Sequence, residues 1–157
     1  MNVIQRFGIP AKAAIAGHPL HPLLVTLPIG FLIGGFLSDI VFYYTGDGFW
    51  ARASAWLIGA GLVTGILAAI AGLIDFLGSE RIRSLTIAWF HFGGNGIAMV
   101  LTAVNLYFRS ESDMIAVTGG QLLLSILVVV IFAVTGWLGG ELVFRHGAGV
   151  IGDEPAE

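Results

Sequence analysis

The sequence predicts an all-α integral membrane protein whose four transmembrane helices form an up-down-up-down bundle. Of its 157 residues, 57% are hydrophobic and only 11% are charged, and the mean hydropathy is +0.92; soluble domains are far more polar. A helix needs about 20 mostly apolar residues to cross a bilayer. Four segments reach that length, at about 22–44, 51–77, 84–108 and 119–144.

The segments outside these helices are more polar. Residues 1–16 mix apolar and basic residues and are broken by Pro10, which predicts an amphipathic arm at the membrane interface. Residues 17–146 form the predicted transmembrane domain, and residues 147–157 form a polar tail. Because the connections between the helices are short, sequential helices are expected to be antiparallel neighbours.

The composition also excludes several functions. The chain has no cysteine, which rules out disulfides, thiolate metal sites and cysteine-ligated iron–sulfur clusters. A bound metal would therefore depend mainly on nitrogen and oxygen ligands. The net charge of −3 gives no indication of nucleic-acid binding. No hydrolase or transferase motif is present, so any enzymatic role would be that of a redox component.

Two histidines stand immediately before the first apolar segment. In the sequence Gly-His-Pro-Leu-His-Pro, residues 17–22, His18 and His21 are each followed by proline. Since proline lacks a backbone N–H and restricts the preceding residue to extended conformations, we expect this His-Pro segment not to be continuous helix. A simpler interpretation makes both histidines interfacial residues at a helix start, with Pro22 near its first turn.

The predicted topology gathers ionisable side chains at one end of the bundle. These are His18, His21, Asp75, His91, Glu141 and His146. Asp75 and His91 should lie within the hydrocarbon, where ionisable groups are costly and are candidate functional residues. Asn95 lies one helical turn beyond His91 on the same face. Glu141 and His146 are further candidates for polar interior residues, and so is Asp39 near the other end, although a carboxylate there can also reach interfacial water.

Three interpretations of these residues remain open. In the first, His91 binds haem b or a transition-metal ion together with His21 or His18, for electron transfer or sensing. Asp75 would then be a ligand or the acceptor that orients His91, and Asn95 would hydrogen-bond the ligand. We favour His91 as the anchor and His21 as its partner, because His21 is closer to the membrane span.

The other two interpretations need no cofactor. The buried polar residues could serve only to specify helix packing in a non-catalytic membrane subunit. Alternatively, Asp75, His91 and Asn95 at one end and Asp39 at the other could line a proton or solute path. The pair Gly93-Gly94 beside His91 leaves room either for a planar ligand or for a close helix crossing.

Several of these motifs resemble one known family. The His-Pro segment, Leu-Pro-Ile-Gly at 27–30, Gly-Leu-Ile-Asp-Phe at 72–76, and Ala-Trp-Phe-His at 88–91 are similar to motifs of the bacterial membrane family "domain of unknown function 2231". The resemblance covers about residues 17–150. The polar residues of this chain that match the family pattern are His18, His21, Asp39, Asp75, His91 and Asn95.

The resemblance implies a small multi-pass protein of the bacterial inner membrane with no established activity. Proteins of this kind look like neighbours or fusions of redox modules such as Rieske-type domains, which favours a redox role. The partners then expected are the lipid bilayer and either further copies of the chain or the subunits of a redox complex.

The distribution of basic residues predicts the orientation. One face carries Arg6, Lys12, Arg81, Arg83 and Arg145, whereas the other carries Arg52 and Arg109. Because cytoplasmic loops are enriched in lysine and arginine, both termini should be cytoplasmic. Reporter fusions should show an inward-facing C-terminus and an outward-facing loop at Glu111. The opposite pattern would move the histidines to the other compartment.

Overall fold

The computed structural model describes residues 8–111 and 114–150. Within these ranges, four helical segments are long and apolar enough to cross a membrane, which confirms the predicted fold class. The first consists of two helices in succession, and a short helix lies between the second and third. The helices are α1 (Leu20–Leu24), α2 (Thr26–Thr45), α3 (Gly48–Gly78), α4 (Glu80–Arg83), α5 (Thr86–Ser110) and α6 (Gly119–Phe144).

Local signals at the helix ends explain the short connections. Gly46, with φ of 65°, ends α2 in the left-handed conformation that glycine adopts readily. Asp47 then caps α3 by accepting a hydrogen bond from the backbone N–H of Phe49. At α6, Thr118 and Gln121 form a reciprocal capping box. These connections turn the chain back on itself and make sequential helices antiparallel.

The His-Pro segment is divided between a strand and a helix. Strand β1 (Ala14–Ile15) pairs antiparallel with β2 (His18–Pro19) across a two-residue turn. Helix α1 begins at Leu20, so the extended conformation predicted for the whole segment ends at Pro19. Pro22 is tolerated inside α1 because N–H groups in the first helical turn have no intrahelical partner.

The bundle is built from two helical hairpins. Helix α2 packs mainly along α3, and α5 packs mainly along α6. The hairpins then meet through α2 against α6 and α3 against α5, so that α2 and α5 lie across the bundle from each other. Between the hairpins, Leu32, Ile58 and Val128 form a buried apolar cluster.

Small residues allow the close approach of these helices. A Cβ added at Gly61 of α3 would lie 2.6 Å from Cγ of the buried Leu32. A Cβ at Gly65 would lie 2.7 Å from the Sδ of Met99 on α5. Glycine on α3 thus brings it into contact with helices of both hairpins, as small residues commonly do in membrane helix packing.

The segments that flank the bundle contact each other. The N–H of Ile9 donates to the carbonyl of Gly147, and the N–H of Gly149 donates to the carbonyl of Ile9, both at 2.8 Å. The start of the predicted tail, residues 147–150, is therefore held against the N-terminal arm. Residues 1–7 and 151–157 lie outside the described ranges. The interfacial position of the arm stays a prediction.

The close contact at Gly61 can be tested by adding one methyl group. Gly61→Ala forces the buried Leu32 to move and should lower the free energy of unfolding by about 1–3 kcal/mol. The measurement is thermal or denaturant unfolding in detergent micelles. Gly96→Ala is the matched control, because a Cβ there meets nothing within 4 Å. Equal stability of the two variants would contradict the packing described for α3.

Candidate functional site

A pair of histidines lies where the two hairpins meet at one end of the bundle. His21 belongs to α1 and His91 to the second turn of α5. Their ring centroids are 6.2 Å apart, and the ring planes are inclined by 85°. The structure therefore places His91, the predicted anchor of the site, next to His21, its predicted partner.

Backbone carbonyls fix the tautomer of both rings. Nδ1 of His21 lies 2.8 Å from the carbonyl oxygen of Ala68 on α3, and Nδ1 of His91 lies 2.8 Å from that of Thr135 on α6. Since a carbonyl oxygen can only accept, each Nδ1 carries the proton and donates it. When the ring is neutral, its Nε2 atom therefore carries the lone pair that can bind a metal or accept a hydrogen bond.

Asn95 and Thr135 complete the surroundings of His91. The side-chain amide of Asn95 donates to the carbonyl of His91 at 2.8 Å and lies 3.3 Å from its Nε2. The Thr135 hydroxyl donates to Oδ1 of Asn95 at 3.0 Å. Asn95 was predicted, whereas Thr135 was missed. A signal was available, because Ser125 and Thr135 are the two hydroxyl residues in the long apolar stretch of α6 between Gln121 and Glu141.

Each imidazole packs directly on a glycine of the neighbouring helix. A Cβ at Gly72 would lie 2.8 Å from Cε1 of His21, and one at Gly139 would lie 3.0 Å from Cε1 of His91. The glycines singled out beside His91 behave differently. Gly94 makes a close crossing with Thr135, and a Cβ at Gly93 meets nothing within 4 Å. The space for both rings is thus provided by glycines of α3 and α6.

Asp75 and His18 do not join the histidine pair. Oδ1 of Asp75 accepts hydrogen bonds from the backbone N–H groups of Lys12 and Ala13, at 2.6 and 2.8 Å. This replaces the predicted bond to His91 or to the His-Pro segment, because the N-terminal arm folds over the end of α3. His18 is exposed, and its Nδ1 lies 3.0 Å from the carbonyl oxygen of Ala16.

The last two candidates also lie away from the pair. Glu141 forms an ion pair with Arg145 at 2.8 Å, one turn further along the chain. His146 is exposed rather than interior, because α6 ends at Phe144 and the chain then turns towards the N-terminal arm. Across residues 8–111 and 114–150, no group of three or more histidine, aspartate or glutamate side chains could hold a metal ion.

A second polar cluster joins the hairpins at the opposite end. Oδ2 of Asp39 on α2 lies 2.7 Å from Nη2 of Arg109 on α5, and both side chains are at most 1% exposed. The Ser125 hydroxyl of α6 donates to the same oxygen at 2.6 Å. Nε of Arg109 donates to Asn105 at 3.1 Å. Asp39 therefore binds a buried cation and does not reach interfacial water.

Sequence reasoning missed the role of Arg109, because the predicted helix at 84–108 ends one residue before it. Helix α5 continues to Ser110, two residues beyond its predicted end, and so includes Arg109. The sequence signal is its spacing: Arg109 follows Asn105 by four residues, on the face that also carries His91. One face of α5 thus supplies polar groups to both ends of the bundle.

These features define the class of protein as a multi-pass helical-bundle membrane protein with polar clusters between its helices. Residues 17–152 match the model of a family described as a predicted membrane protein, DUF2231. The chain belongs to that family. The comparison with curated proteins gave no match. The comparison with solved structures gave none either.

The buried ion pair should contribute strongly to stability. Asp39→Ala leaves the Arg109 guanidinium inside the bundle without its carboxylate, and should lower the free energy of unfolding by about 3–5 kcal/mol. Glu141→Ala is the control, because it breaks a pair whose arginine side chain is 74% exposed and should cost about 0–1 kcal/mol. Unfolding in detergent measures both. Similar losses would mean that Asp39 and Arg109 are not paired in the membrane.

Proposed function

We propose that the protein binds haem b between His21 and His91 and acts in electron transfer or sensing in the bacterial inner membrane. His21 and His91 would hold the haem through their Nε2 atoms. The observation that carries this proposal is the contact between the two imidazoles where the hairpins meet. In each ring, a hydrogen bond from Nδ1 to a backbone carbonyl fixes the tautomer. Cofactor sites in four-helix bundles are commonly built this way, from side chains on facing helices.

The tautomers support a ligand role for both rings. A histidine that ligates a metal usually donates its other ring N–H to a carbonyl or carboxylate, which fixes the ring and raises the basicity of the ligating nitrogen. His21 and His91 both make such a bond, to Ala68 and Thr135 respectively. Nε2 would therefore be the ligating nitrogen of each ring, and the Asn95 amide, 3.3 Å from Nε2 of His91, would move aside on binding.

The ring geometry is compatible with axial ligation. Two imidazoles that bind one metal from opposite sides, with metal–nitrogen distances of about 2.0 Å, have centroids roughly 6 Å apart. The observed separation is 6.2 Å.

The number of ligands favours haem over a bare ion. A protein-bound transition-metal ion usually takes three or four protein ligands, and the described residues offer no such group. The haem macrocycle supplies four nitrogens itself, so two histidines complete its coordination. Haem would provide one-electron chemistry, while His21 and His91 would hold it at the hairpin junction.

A second candidate function is that of a non-catalytic membrane subunit. It is favoured by the carbonyl bonds themselves, since they satisfy one nitrogen of each half-buried histidine without any ligand. A proton or solute path is less favoured. On α5, the fully buried and apolar Ala98 lies between Asn95 of one polar cluster and Asn105 of the other.

The test is a visible absorption spectrum, with iron analysis, of the protein purified after expression with added haem precursor. The wild type should show a haem b spectrum with about one haem per chain. His91→Ala and His21→Ala should each remove one ligand and abolish haem binding. His18→Ala is the control and should retain it, because His18 is exposed and bonded locally.

Three outcomes would contradict the proposal. Haem absorbance that survives His91→Ala would exclude His91 as a ligand. Wild-type protein without haem but with a stoichiometric metal would favour a bare ion. If neither is bound and both alanine variants unfold more easily than the wild type, the histidines serve only in packing.

A further inference from the structure

A groove opens beside the start of α5, away from the histidine pair. It has a volume of about 390 Å³ and is lined by Arg83, Ser84, Thr86, Trp89 and Phe90. This volume lies within the usual range of small-molecule sites, about 300–1,000 Å³. Because the groove lies at the end of a membrane-spanning helix, the molecules that reach it include the headgroups of the surrounding lipids.

The polar wall of the groove is basic and held in place. Nη1 of Arg83 donates to the carbonyls of Phe76 and Leu77 at the end of α3. Nε and Nη2 of the same guanidinium make no hydrogen bond to any described residue. Nε1 of Trp89 donates to the carbonyl of Arg83 at 2.9 Å, which ties the indole to this loop. None of the lining residues is acidic.

The remaining wall is aromatic and accessible to lipid. Trp89 and Phe90 are 54% and 67% exposed. Indole rings favour the level of the lipid headgroups, where one part of the ring meets hydrocarbon and the N–H meets a polar group. Thr86 adds a hydroxyl between the aromatic and basic sides. A ligand that fits this wall has a negatively charged polar group joined to an apolar chain.

We propose that this groove binds the headgroup phosphate of an anionic phospholipid. The free edge of the Arg83 guanidinium would face the phosphate, and Thr86 would donate a hydrogen bond to it. The first part of the acyl chains would lie against Trp89 and Phe90. The positive-inside rule places this end of the bundle at the cytoplasmic leaflet, which is where basic residues next to membrane helices meet anionic lipid.

The test is native mass spectrometry of the purified full chain, titrated with phosphatidylglycerol or phosphatidylcholine. The wild type should retain at least one phosphatidylglycerol and bind it more tightly than phosphatidylcholine. Arg83→Gln should weaken phosphatidylglycerol binding about fivefold, the effect expected for one basic residue at the surface. Thr86→Val should weaken it less and leaves the Arg83 contacts to α3 in place. Inorganic phosphate should not compete at millimolar concentration.

Arg145→Gln is the matched control, because it removes one positive charge from the same end of the bundle but outside the groove. It should leave phosphatidylglycerol binding unchanged. Equal losses of phosphatidylglycerol affinity in Arg83→Gln and Arg145→Gln would overturn the proposal. They would show that the lipid responds to the overall positive charge of this end and not to the groove. Equal binding of the two lipids by the wild type would overturn it as well. If Arg83→Gln does not fold, an unchanged affinity in Thr86→Val decides against the site.

Discussion

The structure depends on one constraint: the hydrocarbon of a bilayer offers no hydrogen-bond partners, so a polar side chain inside the bundle must find its partner in the protein. Asp39 and Arg109 show this most clearly, with exposures of 0% and 1%. They belong to helices that lie across the bundle from each other. Satisfying their charges therefore also fixes how the two hairpins face each other at that end.

The hairpins are joined differently at the histidine end. There, His21 bonds to α3 and His91 bonds to α6, so each hydrogen bond stays within one hairpin. The two rings meet across the junction only through ring contact. An ion pair and several hydrogen bonds thus join the helices of the two hairpins at one end, whereas at the other end His21 and His91 contact each other without a hydrogen bond between them. Because no hydrogen bond joins the two rings, a ligand would be able to bridge the histidines without breaking one.

The N-terminal arm forms part of the structure at the histidine end. Asp75 accepts two backbone hydrogen bonds from it, and Ile9 pairs with the segment after α6. A carboxylate near the end of a membrane helix is costly unless donors surround it, and the arm supplies them. Neither a metal nor His91 is therefore needed to explain the position of the Asp75 carboxylate. This separates it physically from the histidine pair, although both lie at the same end of the bundle.

The sequence alone determined the four membrane helices, their antiparallel order, and the end of the bundle at which His21 and His91 meet. Apolar length, short connections and 3.6-residue periodicity are local properties, so they can be counted along the chain. Only the tertiary structure decided the partners of the polar side chains: Asp75 with the arm, His91 with Thr135, and Asp39 with Arg109. Those choices depend on helix rotation and on the two further residues of α5. Helix rotation and the end of α5 are set by contacts between residues that are far apart in sequence. A local sequence pattern therefore does not specify which polar groups meet.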